Sequence, residues 1–88
     1  MNSMNIQLRF FASIREALGA SQETVTLPPG ITTVGALRGL LRERGETWAA
    51  ALAPGRSLRM ACNQLMADEA TPLTDGCEVA FFPPVTGG

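Results

Sequence analysis

The order in which the hydrophobic period changes along the chain is the feature that most restricts its fold. Residues 6–10 and 23–27 alternate between apolar and polar side chains, which is the period of a strand with one buried face. From residue 33 to about residue 45 the apolar side chains recur at helical spacing, and strand patterns return at 58–63 and 78–82. Two strands, one long helix and further strands predict an α+β fold, in which a mixed sheet packs on one main helix.

The main helix has one apolar side, formed by Val34, Leu37, Leu40 and Leu41. We expect Arg38, Arg42 and Glu43 on its other, polar side, which would face solvent. Gly35 and Gly39 each cost a helix about 1 kcal/mol relative to alanine, so we expect them to be there for close packing on the sheet.

Capping patterns predict two additional short helices. Ser13 and Glu16 have the S-x-x-E spacing of a capping box, which predicts a helix at residues 14–18 that stops at Gly19. Thr47 has the same capping chemistry before a second apolar segment. It predicts a short helix at residues 48–53, including a tryptophan that packs on the core.

Length and composition predict one small globular domain. The 88 residues are enough for one hydrophobic core and too few for two. Apolar residues make up 45% and charged residues 17%, a balance typical of folded chains rather than disordered ones. We expect the folded domain at residues 1–83 and a tail at residues 84–88.

Charge and missing residue types argue against several classes of function. The net charge is −1 and the seven arginines are scattered, so we expect no nucleic-acid partner. No segment has the length of a membrane span or the pattern of an export signal, so we expect no membrane partner and a cytoplasmic location. The chain has no histidine, which argues against a self-contained catalytic triad or a metal site.

The remaining chemically active side chains have structural interpretations. Cys62 and Cys77 are too far apart in sequence for a paired redox or zinc motif, and we expect both to pack as small apolar residues in a reducing compartment. Asp68, Glu69 and Asp75 lie among turn residues without partners at a defined spacing. Solvated turns are therefore the expected role of these carboxylates.

Large apolar side chains on the second face of the sheet predict a partner surface. If Val79 and Phe81 point to the main helix, strand alternation leaves Phe82 exposed on the opposite face. Phe11 is expected to point outward as well, and Met66, in a short predicted strand, to join them across the sheet. Two alternatives stay open: a loop of the same chain covers this face, or the strand register is shifted by one residue.

The tail at residues 84–88 has the composition of a segment that enters another protein. It has no charge and no hydrophobic period, so we expect it to protrude, with a reach of about 17 Å when extended. Gly87 and Gly88 lack a Cβ and can pass through a narrow channel. The carboxylate of Gly88 would then be a chemical handle, although two glycines alone are weak evidence for one.

The segment DGCEVAFFPPVTGG at residues 75–88 resembles the C-terminal signature of the small, sulfur-carrying subunits of molybdopterin synthase. The resemblance extends over nearly the whole chain through four further features: Phe10-Phe11-Ala12 with Arg15-Glu16, the helix at 33–45, Trp48-Ala49, and Asn63-Gln64. One departure is Cys77, where relatives often have an acidic residue.

The resemblance implies a ubiquitin-like β-grasp fold and a role in molybdenum cofactor synthesis. An adenylating enzyme would use ATP to activate Gly88, and a sulfur donor protein would convert it to a thiocarboxylate. Val85, Thr86 and Gly87 would thread into the large catalytic subunit of a heterotetramer, where the sulfur passes to a cyclic pterin precursor. The carrier itself would bind no cofactor and need no catalytic side chain.

The same resemblance and the exposed face together give the expected partner-binding residues: Phe11, Met66, Phe82 and Pro84. Three other functions stay open at this point. They are a sulfur carrier for thiamine or another pathway, a ubiquitin-like protein modifier, and a β-grasp interaction module whose tail is never activated.

Overall fold

The computed structural model describes residues 3–55 and 57–84, which form five strands and three helices. The predicted α+β class is confirmed, and each predicted strand and helix is present. In chain order the elements are β1 (Met4–Phe10), α1 (Ala12–Leu18), β2 (Gln22–Leu27), α2 (Val34–Arg42), α3 (Glu46–Ala51), β3 (Arg59–Cys62), β4 (Leu65–Ala67) and β5 (Glu78–Phe82).

The five strands form one mixed sheet in the order β2-β1-β5-β3-β4. β1 and β5 pair in parallel, and the other neighbouring strands pair antiparallel. Ala80 therefore lies between Arg9 of β1 and Ala61 of β3. The strand that precedes the C-terminal segment is the middle strand of the sheet.

The core lies between the sheet and α2, as the alternating pattern predicts. Most of its fully buried side chains come from alternate positions of β1 and β5 and from one side of α2, and Leu27 of β2 and Leu52 after α3 complete the set: Ile6, Leu8, Phe10, Leu27, Val34, Leu37, Leu41, Leu52, Val79 and Phe81. The Phe10 ring stacks on Phe81 with centroids 6.0 Å apart, and Trp48 meets Phe10 edge-on at 5.6 Å. Trp48 thus packs on the core, as predicted.

The predicted capping box of α1 is wrong. The helix begins at Ala12, Ser13 lies inside it, and the N-cap residue Phe11 makes no side-chain capping bond. The reason is the short connection: because β1 ends at Phe10, one residue separates strand from helix. The predicted stop is confirmed, since Gly19 caps the helix with φ 71° and its N–H donates to the Arg15 carbonyl oxygen at 2.9 Å.

The predicted cap of α3 is also wrong, whereas α2 begins as expected. Thr47 lies inside α3, which starts at Glu46 after Gly45 and has no side-chain cap. Thr33 does cap α2, because its Oγ1 accepts a hydrogen bond from the Ala36 N–H at 3.1 Å.

Arg38 is buried rather than on a solvent-exposed side of α2, with 6% of its surface accessible. Its Nε donates to the Leu52 carbonyl oxygen at 2.7 Å and its Nη2 to that of Ala53 at 2.6 Å. Its Nη1 donates to a Glu69 carboxylate oxygen at 3.2 Å. Burial lowers the pKa of Arg38, while the Glu69 charge acts in the opposite direction. The guanidinium thus satisfies carbonyl groups just after α3, where the helix no longer can.

Close packing explains Gly35 but not Gly39. The Gly35 N–H donates to the Glu69 carbonyl oxygen at 2.9 Å, and a Cβ added at Gly35 would lie 2.8 Å from the Glu69 Cβ. The neighbour is therefore the loop around Glu69, not the sheet that the sequence led us to expect. A Cβ added at Gly39 would meet no atom within 4 Å in the described structure, so the packing prediction is wrong there.

Candidate functional site

The sheet face opposite α2 carries a groove of about 710 Å³. Its apolar lining comes from two small residues in the middle of the sheet, from the start of α1, and from the end of β5 with the prolines after it: Ala61, Ala80, Phe11, Phe82, Pro83 and Pro84. The depression follows from the register, because Ala80 and Ala61 are cross-strand partners and their methyl groups leave space between the larger side chains.

Three of the four predicted partner-binding residues lie together in this groove. Phe11 is 39% exposed, and with Phe82 and Pro84 it lines the groove. Phe82 is half-buried rather than exposed as predicted, because it forms part of the groove wall beside the prolines. Met66 is not in the lining, but it is 65% exposed and pairs with Ala61 across the sheet. Their role in binding a partner stays a prediction.

The groove also has a polar rim, which the sequence analysis missed. A carboxylate oxygen of Glu78 lies 3.7 Å from an Arg9 guanidinium nitrogen, and the Arg9 guanidinium carbon lies 5.6 Å from the centroid of the Phe11 ring. Gln64, in the turn between β3 and β4, lines the groove as well. Alternation on β1 and β5 was a signal that could have found Arg9 and Glu78, since both lie on the same face as Ala80.

One further exposed apolar residue was also missed. Leu65 is 73% exposed and pairs with Cys62 at the edge of the sheet. Alternation places Leu65 on the opposite sheet face from Met66, so it does not extend the groove. The sequence shows that Leu65 and Met66 are apolar. It does not show that, among the described residues, no helix or loop covers them at this edge of the sheet.

The predicted tail lies almost entirely outside the described residues. Val85, Thr86, Gly87 and Gly88 are beyond the described part of the chain, so their predicted roles stay predictions. Pro84 is the last described residue, and it lines the groove. The segment that would carry the chemistry therefore starts at the groove itself.

The carboxylates predicted to occupy turns have structural partners there. Asp75 accepts a hydrogen bond from the Asn5 N–H at 2.8 Å, and Asp68 accepts one from the Ala70 N–H at 2.9 Å. Within residues 3–55 and 57–84, no three side chains of the metal-binding types His, Cys, Asp and Glu cluster together. In the same ranges every buried polar side-chain atom has a hydrogen-bond partner.

Hydrogen bonding and burial account for the shifted pKa values of three groups outside the groove. A two-fold hydrogen bond from Arg44, at 2.6 and 2.8 Å, lowers the pKa of Glu23, and the same bond raises that of Arg44. Burial, with the neighbouring Cys77, raises the pKa of Cys62. Cys77 is buried in the core and Cys62 packs against it, as expected for cysteines with a packing role.

Comparison with known proteins identifies the family. The ThiS family matches residues 8–88, nearly the whole chain. The chain belongs to the ThiS family. Two relatives of this chain are each named molybdopterin synthase sulfur carrier subunit. The one from Escherichia coli is 46% identical and the one from Haemophilus influenzae 39% identical, both over 94% of this chain and 99% of the relative. The predicted function, a sulfur carrier of the molybdopterin synthase type, is confirmed by these relatives.

Solved structures confirm the predicted β-grasp fold. Subunit 1 of a putative molybdopterin converting factor from Pyrococcus furiosus has a TM-score of 0.77 at 24% identity, over 93% of this chain and 99% of that one. A ubiquitin from Caldiarchaeum subterraneum has a TM-score of 0.59 at 18% identity, over 99% and 100%. A complex of subunits 1 and 2 of the molybdopterin-converting factor from Helicobacter pylori includes a chain with 30% identity and a TM-score of 0.63, over 97% and 100%.

No helix among the described residues has the length and apolar character needed to cross a membrane. The predicted cytoplasmic location stays a prediction.

Proposed function

We propose that this ThiS-family chain carries sulfur on Gly88 and delivers it while its groove is docked on the large subunit of molybdopterin synthase. The position of the groove is the observation that supports this most directly. Phe11, Phe82 and Pro84 line it, and Pro84 is the residue from which the carrier segment continues. A protein that covers the groove is therefore in place to receive that segment.

The chemistry requires activation, because a carboxylate is a poor electrophile. In the proposed sequence the Gly88 carboxylate attacks the α-phosphate of ATP on an adenylating enzyme, and pyrophosphate leaves. Sulfur at the sulfide oxidation level, supplied by a donor protein, then attacks the Gly88 carbonyl carbon to form the C–S bond, and the C–O bond to AMP breaks, so that AMP leaves with one of the original carboxylate oxygens. The resulting thiocarboxylate is ionised and nucleophilic at neutral pH. The chain contributes its backbone terminus to these steps, and the partner enzymes contribute the catalytic groups.

Docking has to offset the entropy lost when the carrier segment is held in a partner. Four residues follow Pro84, and fixing their backbone costs about 1–2 kcal/mol each. Fully burying a large apolar side chain contributes about 1.5–3 kcal/mol, and less where it is already half-buried. Phe11, Phe82 and the exposed Met66 together therefore supply an amount comparable to that cost. The Helicobacter pylori complex of subunits 1 and 2 supports a large subunit as the partner.

Mass analysis of the intact chain tests the carrier role. After co-expression with its adenylating enzyme and a sulfur donor, the chain should show replacement of one oxygen by sulfur, assigned to Gly88 by fragmentation. A variant lacking Gly88 is the matched control and should show no exchange. Recovery of the free acid alone from the full chain, under conditions in which the enzyme consumes ATP, would contradict the proposal.

A further inference from the structure

Left-handed backbone at residues other than glycine is concentrated at the groove. Among the described residues three non-glycine residues have a positive φ: Ala12 at 51°, Asn63 at 51° and Gln64 at 68°. Ala12 and Gln64 line the groove, and Asn63 precedes Gln64. Such conformations are unfavourable for most side chains and tend to persist where a function requires them.

The turn at Asn63 and Gln64 shows most clearly what a left-handed backbone costs in stability. Cys62 and Leu65 are cross-strand partners, so the two residues between them form a two-residue hairpin loop. When both loop residues are left-handed, the preferred pair is Asn-Gly. Asn63 fits this preference, and its side-chain oxygen accepts a hydrogen bond from the Glu78 N–H at 3.0 Å. Gln64 occupies the position where glycine would be more stable.

The position of the Gln64 side chain gives a reason why this turn position holds glutamine rather than glycine. It lines the groove together with the apolar surfaces of Ala61, Ala80 and Phe82. Gln64 is exposed, and within the part of the chain that the structure describes its carboxamide has no protein hydrogen-bond partner, so it is free to bind a docked protein. The other rim groups, Arg9 and Glu78, lie close enough to pair with each other. A carboxamide both donates and accepts, so it can match a main-chain amide on a protein surface that covers the groove.

We propose that Gln64 is a docking residue whose carboxamide hydrogen-bonds a main-chain amide of the large subunit. The left-handed turn that carries it is retained for this contact at a cost in stability. This inference rests on the proposed function, because it takes the large subunit as the occupant of the groove. That occupant follows from where the described chain ends: Pro84 lines the groove, so the protein that receives the residues after it also covers Gln64.

Two substitutions at this position separate the side chain from the strain. Gln64→Ala removes the carboxamide and keeps a strained left-handed residue, whereas Gln64→Gly removes both. Affinity for the purified large subunit is measured by calorimetry, and stability by urea unfolding of the carrier alone. Both variants should bind about three- to tenfold more weakly than the natural chain, as expected for one lost hydrogen bond. The glycine variant should also have an unfolding equilibrium constant about threefold lower than that of the alanine variant.

The outcomes distinguish this inference from the proposed function. If the natural chain does not bind the large subunit, the proposed function fails. If the natural chain binds and Gln64→Ala binds equally well, Gln64 is not a docking residue. Weaker binding by the glycine variant alone would assign the effect to backbone freedom, and a glycine variant no more stable than the alanine variant would refute the argument from strain.

Discussion

Replacing Gly35 by alanine should destabilise the fold, although the same change at Gly39 in the same helix should stabilise it. An added Cβ at Gly35 would lie 2.8 Å from the Glu69 Cβ, 2.9 Å from its carbonyl oxygen and 3.3 Å from its Cα. Two of these are backbone atoms, so no side-chain rotation relieves the overlap. An added Cβ at Gly39 meets nothing within 4 Å in the described structure.

The magnitude follows from three contributions. Alanine gains about 1 kcal/mol over glycine in a helix interior, at either position. At Gly35 this gain is opposed by overpacking, which costs about 1–3 kcal/mol. Moving the loop away also lengthens the 2.9 Å hydrogen bond from the Gly35 N–H to the Glu69 carbonyl oxygen, at about 1 kcal/mol. We expect a net loss of about 1–3 kcal/mol for Gly35→Ala and a gain of up to about 1 kcal/mol for Gly39→Ala.

Urea unfolding followed by circular dichroism measures both variants against the natural chain. If the m-values are equal, the urea midpoint should fall for Gly35→Ala and rise for Gly39→Ala. In a thermal unfolding experiment, each 1 kcal/mol corresponds to a change of about 4–8 °C in Tm for a domain of this size. A Gly35→Ala variant as stable as Gly39→Ala would show that the loop at Glu69 moves away without cost. The close approach would then have no energetic meaning.

Two further predictions concern the groove and the buried arginine. Phe82→Ala should weaken binding to the large subunit about tenfold by calorimetry, because part of the ring is already buried in the free chain; unchanged affinity with an intact fold would remove Phe82 from the docking surface. Arg38→Met should reduce the free energy of unfolding by about 2–4 kcal/mol, because the carbonyl groups of Leu52 and Ala53 lose their donors. Arg42→Met, which loses only a 3.5 Å contact, is the control, and equal losses would contradict the role given to Arg38.

Side-chain alternation was the part of the sequence that predicted the structure well. Because side chains alternate between the two faces of a strand, assigning Val79 to the core face assigns Phe81 to it as well, and both are buried. The same alternation assigns Ala80 and Phe82 to the opposite face, which carries the groove. Phe11 and Phe82, two residues of the predicted docking surface, could be found in this way. Their common groove could not, because it depends on Ala61 and Ala80 being neighbours across two strands that are distant in sequence.

The errors fall where distant parts of the chain decide a local feature. Ser13 and Thr47 have capping chemistry, but the connections from neighbouring elements place each of them inside a helix. Arg38 has the charge of a surface residue, yet the residues just after α3 and the loop at Glu69 supply hydrogen-bond acceptors for its buried guanidinium. Gly35 and Gly39 look alike in sequence, and only the position of that loop distinguishes them.

The central position of β5 determines when the sheet can assemble during synthesis of the chain. β5 lies between β1 and β3, so a chain still being synthesised has two separate strand pairs, β1 with β2 and β3 with β4, and nothing to join them. Pairing β1 with β5 also requires contact between residues nearly a whole chain apart, which favours late closure of the sheet. Only Pro83 and Pro84 separate β5 from residues 85–88 in sequence. Unfinished chains therefore cannot assemble the docking face, and partners encounter it only on completed molecules.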